Sequence, residues 1–337
     1  MKITSKKISF IGQKGIPAEF VGTSGIEFYV ESLAKNLINQ RNKVSCYVRN
    51  WATSKSLKKY QKIKLIHLPS INTKHLDALS HSLISSCHAC FNDVDIVWYQ
   101  AIGPAFFSCL PKLCGKNVYT TIHGLDWRRE KWNWCAKLFL KLSEKILVKF
   151  SDEIFVVSND LQKYYWKRYH RKTIYLPPIV PKLRKLKPNI VTKKYGLKGN
   201  DYILYLGRFV PEKRIDWLIK AYQQLKPKDI KLVLAGGSSH TDKYTRYLYD
   251  LSKNNPNIIF TGYVFGKEKS ELLSNCRLFI LPSSLEGNAL TLLEALKLKQ
   301  NCLASDINIH KRIAKINTNL QIFKRNNFPD FVKKINL

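Results

Sequence analysis

Residues 283–296 read Ser283-Ser284-Leu285-Glu286-Gly287-Asn288-Ala289-Leu290-Thr291-Leu292-Leu293-Glu294-Ala295-Leu296. The stretch follows a predicted strand, Arg277 to Leu281, and its apolar second half predicts a helix. Gly287 and Asn288 favour a tight turn, which the free N–H groups and positive dipole end of the helix would face. We therefore expect an anion to bind at the turn and helix start, residues Gly287, Asn288, Ala289 and Leu290.

Two glutamates flank this predicted helix start. Glu286 lies just ahead of the helix, and Glu294 lies just over one turn inside it. Their carboxylates can accept hydrogen bonds from hydroxyl groups on either side of a bound phosphate, which fits a nucleotide sugar. The alternative is a solvated first turn, in which acidic side chains only stabilise the helix dipole.

A basic site is predicted where the strand from Tyr202 to Gly207 ends. Arg208 can donate paired hydrogen bonds to phosphate oxygens, and Lys213, at the start of the following helix, can add a point charge. The alternative is that both are ordinary surface cations of a very basic protein.

The chain begins with a predicted strand–loop–helix unit, whose helix runs from Gly25 to Asn39. Its loop lacks the glycine spacing of dinucleotide-binding proteins and the Gly-Lys-Ser/Thr ending of a P-loop. Ser24 and Glu27 match a capping box. Glu27 therefore either closes the helix start or, together with Gly25, contributes to a ligand site there.

His123 follows the predicted strand Val118 to Ile122 and precedes Gly124. Open parallel sheets bind ligands at the carboxyl ends of their strands, so this position makes His123 a candidate site residue. A structural histidine is the alternative.

Strand and helix patterns alternate along the chain, which predicts an α/β protein with parallel sheets. Prolines 177, 178, 181 and 188 interrupt the alternation. The sequence therefore predicts a domain over residues 1–175, a linker over 176–190 and a second domain over 191–337.

The charge balance is extreme, with 57 Lys and Arg against 24 Asp and Glu and a net charge of +33. Such a chain attracts polyanions, among them nucleic acid, anionic lipids and phosphorylated ligands. A basic amphipathic helix is predicted over Trp132 to Phe150, where lysines recur at 137, 141, 145 and 149. Its lysines either face solvent or contact an anionic bilayer.

We expect no signal peptide, and no apolar run reaches about 18 residues, so any membrane contact is expected to be peripheral. Eight scattered cysteines are expected to be reduced thiols of a cytoplasmic protein. We expect no metal site: Asp93 and Asp95 precede a buried strand, and Cys87-His88-Ala89-Cys90 lies in an apolar helical pattern.

The two glutamates, separated by seven residues in Glu286 to Leu296, resemble the donor motif of glycosyltransferase family 4. The first loop, from Gly15-Ile16-Pro17 to Gly25-Ile26-Glu27-Phe28, and the run His123-Gly124-Leu125-Asp126-Trp127 resemble its bacterial rhamnosyl- and hexosyltransferase subgroup. The resemblance spans Ile8 to about Leu337. It implies retaining chemistry and the GT-B fold, two Rossmann-like doubly wound domains facing across a cleft.

The resemblance also implies a role for each matching residue. Arg208 and Lys213 would clamp the diphosphate, and Glu286 would hold the donor sugar. Glu294 would contact the ribose, and Tyr263 would lie near the base. His123 would contact the sugar from the other domain.

The implied donor is a nucleotide-diphosphate sugar, used without a metal cofactor. The implied acceptor is a saccharide or lipid-linked saccharide of a cell-surface polysaccharide precursor, at the inner face of the cytoplasmic membrane. No nucleic-acid partner is implied.

Two departures from the family pattern leave other functions open. The family commonly has Gly-x-Pro where this chain has Lys299-Gln300-Asn301, and the chain stops soon after Phe328. The C-terminal end is therefore expected to be shortened. One alternative is a degenerate, non-catalytic scaffold, and the other, favoured only by charge and aromatic-basic runs, is a polyanion- or nucleic-acid-binding protein.

Overall fold

The computed structural model describes residues 5–20, 25–73, 76–128, 132–177, 179–180, 183–225, 229–237, 242–287 and 289–335. The chain forms two compact units, Met1–Ile179 and Val180–Leu337. They are called the N-terminal and the C-terminal unit below. The division falls inside the segment 176–190 that the sequence marks as a linker.

The N-terminal unit alternates strands and helices. Its strands are β1 Lys7–Ile11, β2 Lys43–Arg49, β3 Lys59–Tyr60, β4 Ile63–Leu68, β5 Ile96–Gln100, β6 Asn117–Ile122, β7 Glu153–Val156 and β8 Ile174–Tyr175. Its helices are α1 Gly25–Asn39, α2 Leu76–Cys90, α3 Cys109–Leu113, α4 Trp134–Phe150 and α5 Asn159–Tyr169.

The sheet of this unit has the order β3-β4-β2-β1-β5-β6-β7-β8. Its pairs are parallel apart from β3 with β4. The central strands are apolar on both faces, as helices covering both sides of a parallel sheet require. All the carboxyl ends of the parallel strands therefore meet at one edge, which also carries His123.

The C-terminal unit repeats this plan. Its strands are β9 Tyr202–Leu206, β10 Lys231–Ala235, β11 Ile258–Gly262, β12 Leu278–Leu281, β13 Cys302–Ser305 and β14 Leu320–Phe323. Its helices are α6 Ile190–Tyr195, α7 Ile215–Leu225, α8 Asp242–Ser252, α9 Gly266–Asn275, α10 Leu290–Lys297, α11 Asn308–Ala314 and α12 Phe328–Lys334.

The second sheet has the order β11-β10-β9-β12-β13-β14, with parallel pairs throughout. Counted within the unit this is 3-2-1-4-5-6, the doubly wound order of dinucleotide-binding domains. The chain reverses its winding direction between β9 and β12. Ligands of such sheets bind outside the carboxyl ends of the two strands at this switch point.

Several predicted boundaries shift in the structure. The basic helix begins at Trp134 rather than Trp132, because Asn133 caps it with a side-chain oxygen that accepts from the Ala136 N–H at 2.9 Å. Lys213, expected at a helix start, instead ends a short 3₁₀ turn, Pro211–Lys213, ahead of α7. The strand predicted from Arg277 begins at Leu278.

Candidate functional site

The switch point of the C-terminal unit gathers the predicted diphosphate and sugar residues. Arg208 comes two residues after β9 ends, and Glu286 follows β12, the neighbouring strand. The loop after β12 is tied to the 3₁₀ turn, because the backbone N–H of Ser284 donates to the Glu212 carbonyl at 2.8 Å. This contact brings Lys213 next to Glu286.

Glu286 is nearly buried and ion-paired. Its Oε1 accepts a hydrogen bond from the Lys213 ammonium and another from Ser283 Oγ at 2.8 Å. Burial by itself would raise the pKa of the Glu286 carboxyl, but the charge of Lys213 and the hydrogen bonds outweigh it and lower the pKa. The carboxylate therefore stays ionised at neutral pH and can only accept hydrogen bonds, as a group that binds hydroxyls must.

His310 is a member of this cluster that the sequence reasoning missed. It is fully buried on α11, and its Nδ1 lies 3.0 Å from the Ser305 carbonyl oxygen. A carbonyl can only accept, so Nδ1 carries the proton and Nε2, which has no partner among the described residues, is left as an acceptor. Burial and the nearby Lys213 charge lower the pKa of His310, although Glu286 and the Ser305 carbonyl act in the opposite direction.

His310 could have been found from its position, because it follows the carboxyl end of β13 by five residues. The same strand end supports Glu286 indirectly. Ser305 Oγ donates to the carbonyl of Ser283, the residue whose hydroxyl holds the Glu286 carboxylate. The Glu286 carboxylate is thus held by residues that follow or end three strands, β9, β12 and β13.

Glu294 has a different partner. It is fully buried on α10, and its Oε1 accepts from Lys269 Nζ on α9 at 2.8 Å. Its Oε2 is buried and has no hydrogen-bond partner in the described part of the chain. A buried carboxylate oxygen without a donor is costly, which makes it an acceptor suited to a ligand hydroxyl.

Two glycines allow the backbone to pack closely beside Arg208. Gly236 has a φ of +140°, and a Cβ there would lie 1.8 Å from the Gly207 carbonyl oxygen. A Cβ on Gly237 would lie 2.9 Å from the ring of Tyr263. Burial raises the pKa of Tyr263, and the positive charge of Arg208 acts in the opposite direction.

The anion site predicted at the start of α10 lies beside the two glutamates. Gly287 precedes the helix, Ala289 adopts the left-handed conformation with φ 45°, and Leu290 is the first helical residue. Asn288 lies outside the described residues. The helix starts between Glu286 and Glu294, so its free N–H groups are at the position where the sequence predicts phosphate.

His123 lies in the N-terminal unit, after β6. It is nearly buried, its Nε2 is 3.0 Å from Gln100 Oε1, and its ring meets Tyr29 edge-on at 4.8 Å. These contacts fix the orientation of the imidazole at the carboxyl edge of the sheet.

Gly25 and Glu27 lie at the start of α1 in the same unit. Glu27 is buried and its Oε1 accepts from the backbone N–H of Lys14 at 3.0 Å, which ties the loop after β1 to the helix. The other half of the predicted capping box, Ser24, lies outside the described residues. Among the described residues, none lies within 4 Å of a Cβ placed on Gly25.

Within the described ranges, no three His, Cys, Asp or Glu side chains come together as a candidate metal-binding group. Asp93 pairs with the Lys7 ammonium, and Asp95 accepts from the Lys7 backbone N–H at 2.7 Å. All eight cysteines are free thiols.

Two family models match the chain. A domain of unknown function, DUF1972, matches residues 5–176, and the model described as glycosyl transferases group 1 matches residues 189–337. The two matches correspond to the N-terminal and C-terminal units.

Two curated relatives match parts of the chain. An uncharacterized glycosyltransferase of Bacillus subtilis (strain 168), YqgM, is 28% identical over 197 residues, which is 56% of this chain and 52% of that protein. The O-antigen chain mannosyltransferase B of Escherichia coli is 34% identical over 110 residues, 32% of this chain and 29% of that protein. The matched part of the chain thus spans about half or less of the length of these relatives.

The structural likeness extends over both units. Anabaena HepE, solved in complex with UDP and glucose, superimposes with a TM-score of 0.78 at 16% identity, covering 97% of this chain and 88% of that one. Likeness at this identity shows the fold, and it confirms the predicted GT-B class. The DUF1972 model matches just over half of the chain, so the chain belongs to the DUF1972 family, and its C-terminal unit carries a glycosyl transferases group 1 domain.

Proposed function

We propose that the protein transfers a glycosyl group from a nucleoside-diphosphate sugar to a saccharide acceptor. The observation that carries this proposal is the pair of buried carboxylates, Glu286 and Glu294, on either side of a helix start at the switch point of the C-terminal sheet. Each carboxylate is ion-paired with a lysine, Glu286 with Lys213 and Glu294 with Lys269.

In this proposal the cations and the start of α10 stabilise the departing diphosphate. Arg208 donates to phosphate oxygens, and Lys213 uses a remaining N–H while it still holds Glu286, because an ammonium has three donors. Electrostatic stabilisation of developing charge usually contributes more to the rate of such a step than any other single effect. We propose that these groups act without a divalent metal.

The carboxylates would hold the donor by its hydroxyls. Glu286, ionised and supported by Ser283, accepts from the transferred sugar, while the unpartnered Oε2 of Glu294 accepts from the ribose. Tyr263 would lie near the base, Gly25 and Glu27 would contribute to a ligand site at the start of α1, and His123 would contact the sugar. We further propose retention, in which the acceptor attacks on the leaving-group face and a phosphate oxygen takes its proton.

The sugar proposed for transfer is a hexose or deoxyhexose such as rhamnose, and the acceptor a lipid-linked precursor of a cell-surface polysaccharide. Two comparisons support this choice: HepE was solved with UDP and glucose, and the matching E. coli relative is an O-antigen mannosyltransferase.

We propose that helix α4 docks the protein on the inner face of the cytoplasmic membrane. Its buried stripe includes Leu140 and Leu147, yet its outer face also carries apolar side chains. That outer face exposes three apolar residues and three lysines, namely Trp134, Leu138, Leu142, Lys141, Lys145 and Lys149. Exposed apolar side chains among cations fit an anionic bilayer, where each lysine can add about 1 kcal/mol.

No helix in the described part of the chain has the length and apolar character needed to cross a membrane.

A thermal-shift panel of nucleoside diphosphates and their sugars, with and without magnesium, tests the proposal. A ligand that binds the folded state raises the unfolding midpoint, so one nucleotide family should do so, equally well with EDTA. Transfer assays with that donor then distinguish an enzyme from a non-catalytic scaffold.

The net charge of +33 also fits a polyanion-binding protein. That function would replace ours if single-stranded oligonucleotides bound in a salt-dependent way while no nucleotide sugar shifted the midpoint. It would leave the buried carboxylates without a ligand.

A further inference from the structure

Trp51 stands at the carboxyl edge of the N-terminal sheet, two residues after β2 ends. It keeps 42% of its surface exposed, although large aromatic side chains are usually well buried. Ligands of open parallel sheets bind at this edge. The exposed indole therefore lies where a ligand is expected, in the unit that does not hold the proposed donor nucleotide.

A polar network fixes the indole in place. Trp51 Nε1 donates to Ser70 Oγ at 3.0 Å and to Asp77 Oδ1 at 3.1 Å, and Ser70 Oγ donates to the same Asp77 oxygen at 2.7 Å. Asp77 pairs with Arg49 at 3.2 Å, and both side chains are buried.

A buried ion pair is weak evidence for stability, because the cost of removing both charges from water offsets their attraction. Here the pair does something else, since it anchors the N–H edge of one exposed aromatic ring. The ring is thereby pre-organised, which lowers the entropy cost of binding a ligand against it.

A cation stands beside the same ring. Lys14 Nζ lies 5.8 Å from the ring centroid of Trp51, within the range of a cation–π contact. The Lys14 carbonyl accepts from the Arg49 backbone N–H at 3.0 Å, so the loops after β1 and β2 are held together. Indole and ammonium thus form one surface.

This surface lies apart from His123. The sheet order β2-β1-β5-β6 puts three strand intervals between the ends of β2 and β6, about 14 Å at the usual spacing of ~4.8 Å. A sugar that contacts His123 cannot also cover Trp51. What binds Trp51 is a different part of the substrates.

We propose that Trp51 and Lys14 form a subsite for the acceptor, and that they bind a pyranose ring bearing, or linked next to, a phosphate or carboxylate. The C–H face of a pyranose packs on an indole, whose buried area is large and whose shape is rigid. The ammonium selects an anionic neighbour. This inference rests on the proposed function and specifies the class of its acceptor.

The test follows the indole N–H signals of tryptophan-labelled protein by NMR. The Trp51 signal is identified by its loss in Trp51→Phe, and it is titrated with disaccharide phosphates, the matching neutral disaccharides and free nucleoside monophosphates. We expect the disaccharide phosphates to shift it, the neutral sugars to bind about tenfold more weakly, and Lys14→Met to remove this preference.

Trp166→Phe is the matched control, since Trp166 is a similarly exposed tryptophan on α5, away from the sheet edge. It should bind as the unaltered protein does. Once a transferred product is in hand, Trp51→Leu should raise KM for the acceptor about tenfold without changing KM for the donor.

Three results would overturn the inference: no shift with any saccharide, a shift with nucleoside monophosphates instead, or equal binding of neutral and phosphorylated sugars. If nucleoside diphosphates still raised the unfolding midpoint, only the subsite would fail. If they did not, the proposed function would fail too.

Discussion

Lys213 and Glu286 lie 73 positions apart in the sequence and form an ion pair at the switch point of the C-terminal sheet. The lysine lowers the pKa of a carboxyl that burial would otherwise raise. One contact thus keeps a buried acceptor charged and holds a cation where the diphosphate is proposed to bind.

Lys213→Ala should reduce kcat for glycosyl transfer by about a hundredfold, the usual effect of removing one group that stabilises transition-state charge. The folded protein should persist, because Ser283 still donates to Glu286. The control is Lys194→Ala, which breaks a more exposed lysine–glutamate pair with Glu268 in the same unit. Equal losses in both variants would show that Lys213 has no special role.

Glu294→Gln should weaken nucleoside-diphosphate binding about tenfold, because the buried Oε2 is replaced by a poorer partner for a hydroxyl and Lys269 loses its charge partner. Calorimetric titration measures this directly. Glu268→Gln changes a glutamate near the surface that pairs with Lys194, and its affinity should stay unchanged. If Glu294→Gln bound nucleoside diphosphates as tightly as the unaltered protein, Glu294 would not be a donor-site residue.

Gly236→Ala should destabilise the protein by roughly 3 kcal/mol or more, because its φ is +140° and the new Cβ would collide with the Gly207 carbonyl. Gly262→Ala separates the two causes. Gly262 also has a positive φ, +69°, but no described residue lies within 4 Å of a Cβ placed there, so a loss of about 1 kcal/mol is expected. Urea unfolding measures both, and similar losses would mean that the close approach beside Arg208 is unimportant.

Stability should fall as the pH drops from about 6.5 to about 4 because of His81. Burial, aided by the charge of Arg49, lowers its pKa to about 4, although Asp77 and the Val48 backbone act in the opposite direction. In that range His81 becomes protonated in the unfolded chain but stays neutral in the folded chain. The free energy of unfolding therefore falls by on the order of 3 kcal/mol. His81→Gln should flatten this slope in urea titrations; an unchanged slope would contradict the assignment.

Leu138→Glu should reduce binding to anionic vesicles several-fold, since it places a like charge and a polar group against the bilayer. Co-sedimentation at low and high salt measures it, and salt should weaken binding of the unaltered protein. Ile316→Glu is the control, because Ile316 is 84% exposed but lies in the C-terminal unit beyond α11. If both changes weakened vesicle binding equally, binding would depend on net charge alone and not on a surface of α4.

Local patterns were sufficient for most elements. Helix α1 has the bounds predicted for it, Gly25–Asn39, and the strand predicted from Tyr202 to Gly207 is β9, Tyr202–Leu206. Periodicity and capping depend on residues within about one helical turn, so they can be read without the fold. The edge strands β3 and β8 have two residues each, which is too short for an alternation of apolar and polar residues to be recognised, and the sequence did not predict them.

The sequence by itself determined the α/β alternation, and it supplied the family resemblance and the candidate site residues, because each depends on near neighbours or on a local motif. It could not determine their partners. That Lys213 holds Glu286, that Lys269 pairs with Glu294, and that His310 and Trp51 follow the carboxyl ends of strands in the two sheets are consequences of strand order and loop packing. Such contacts join residues far apart in the chain, and only the folded sheet brings them within hydrogen-bonding distance.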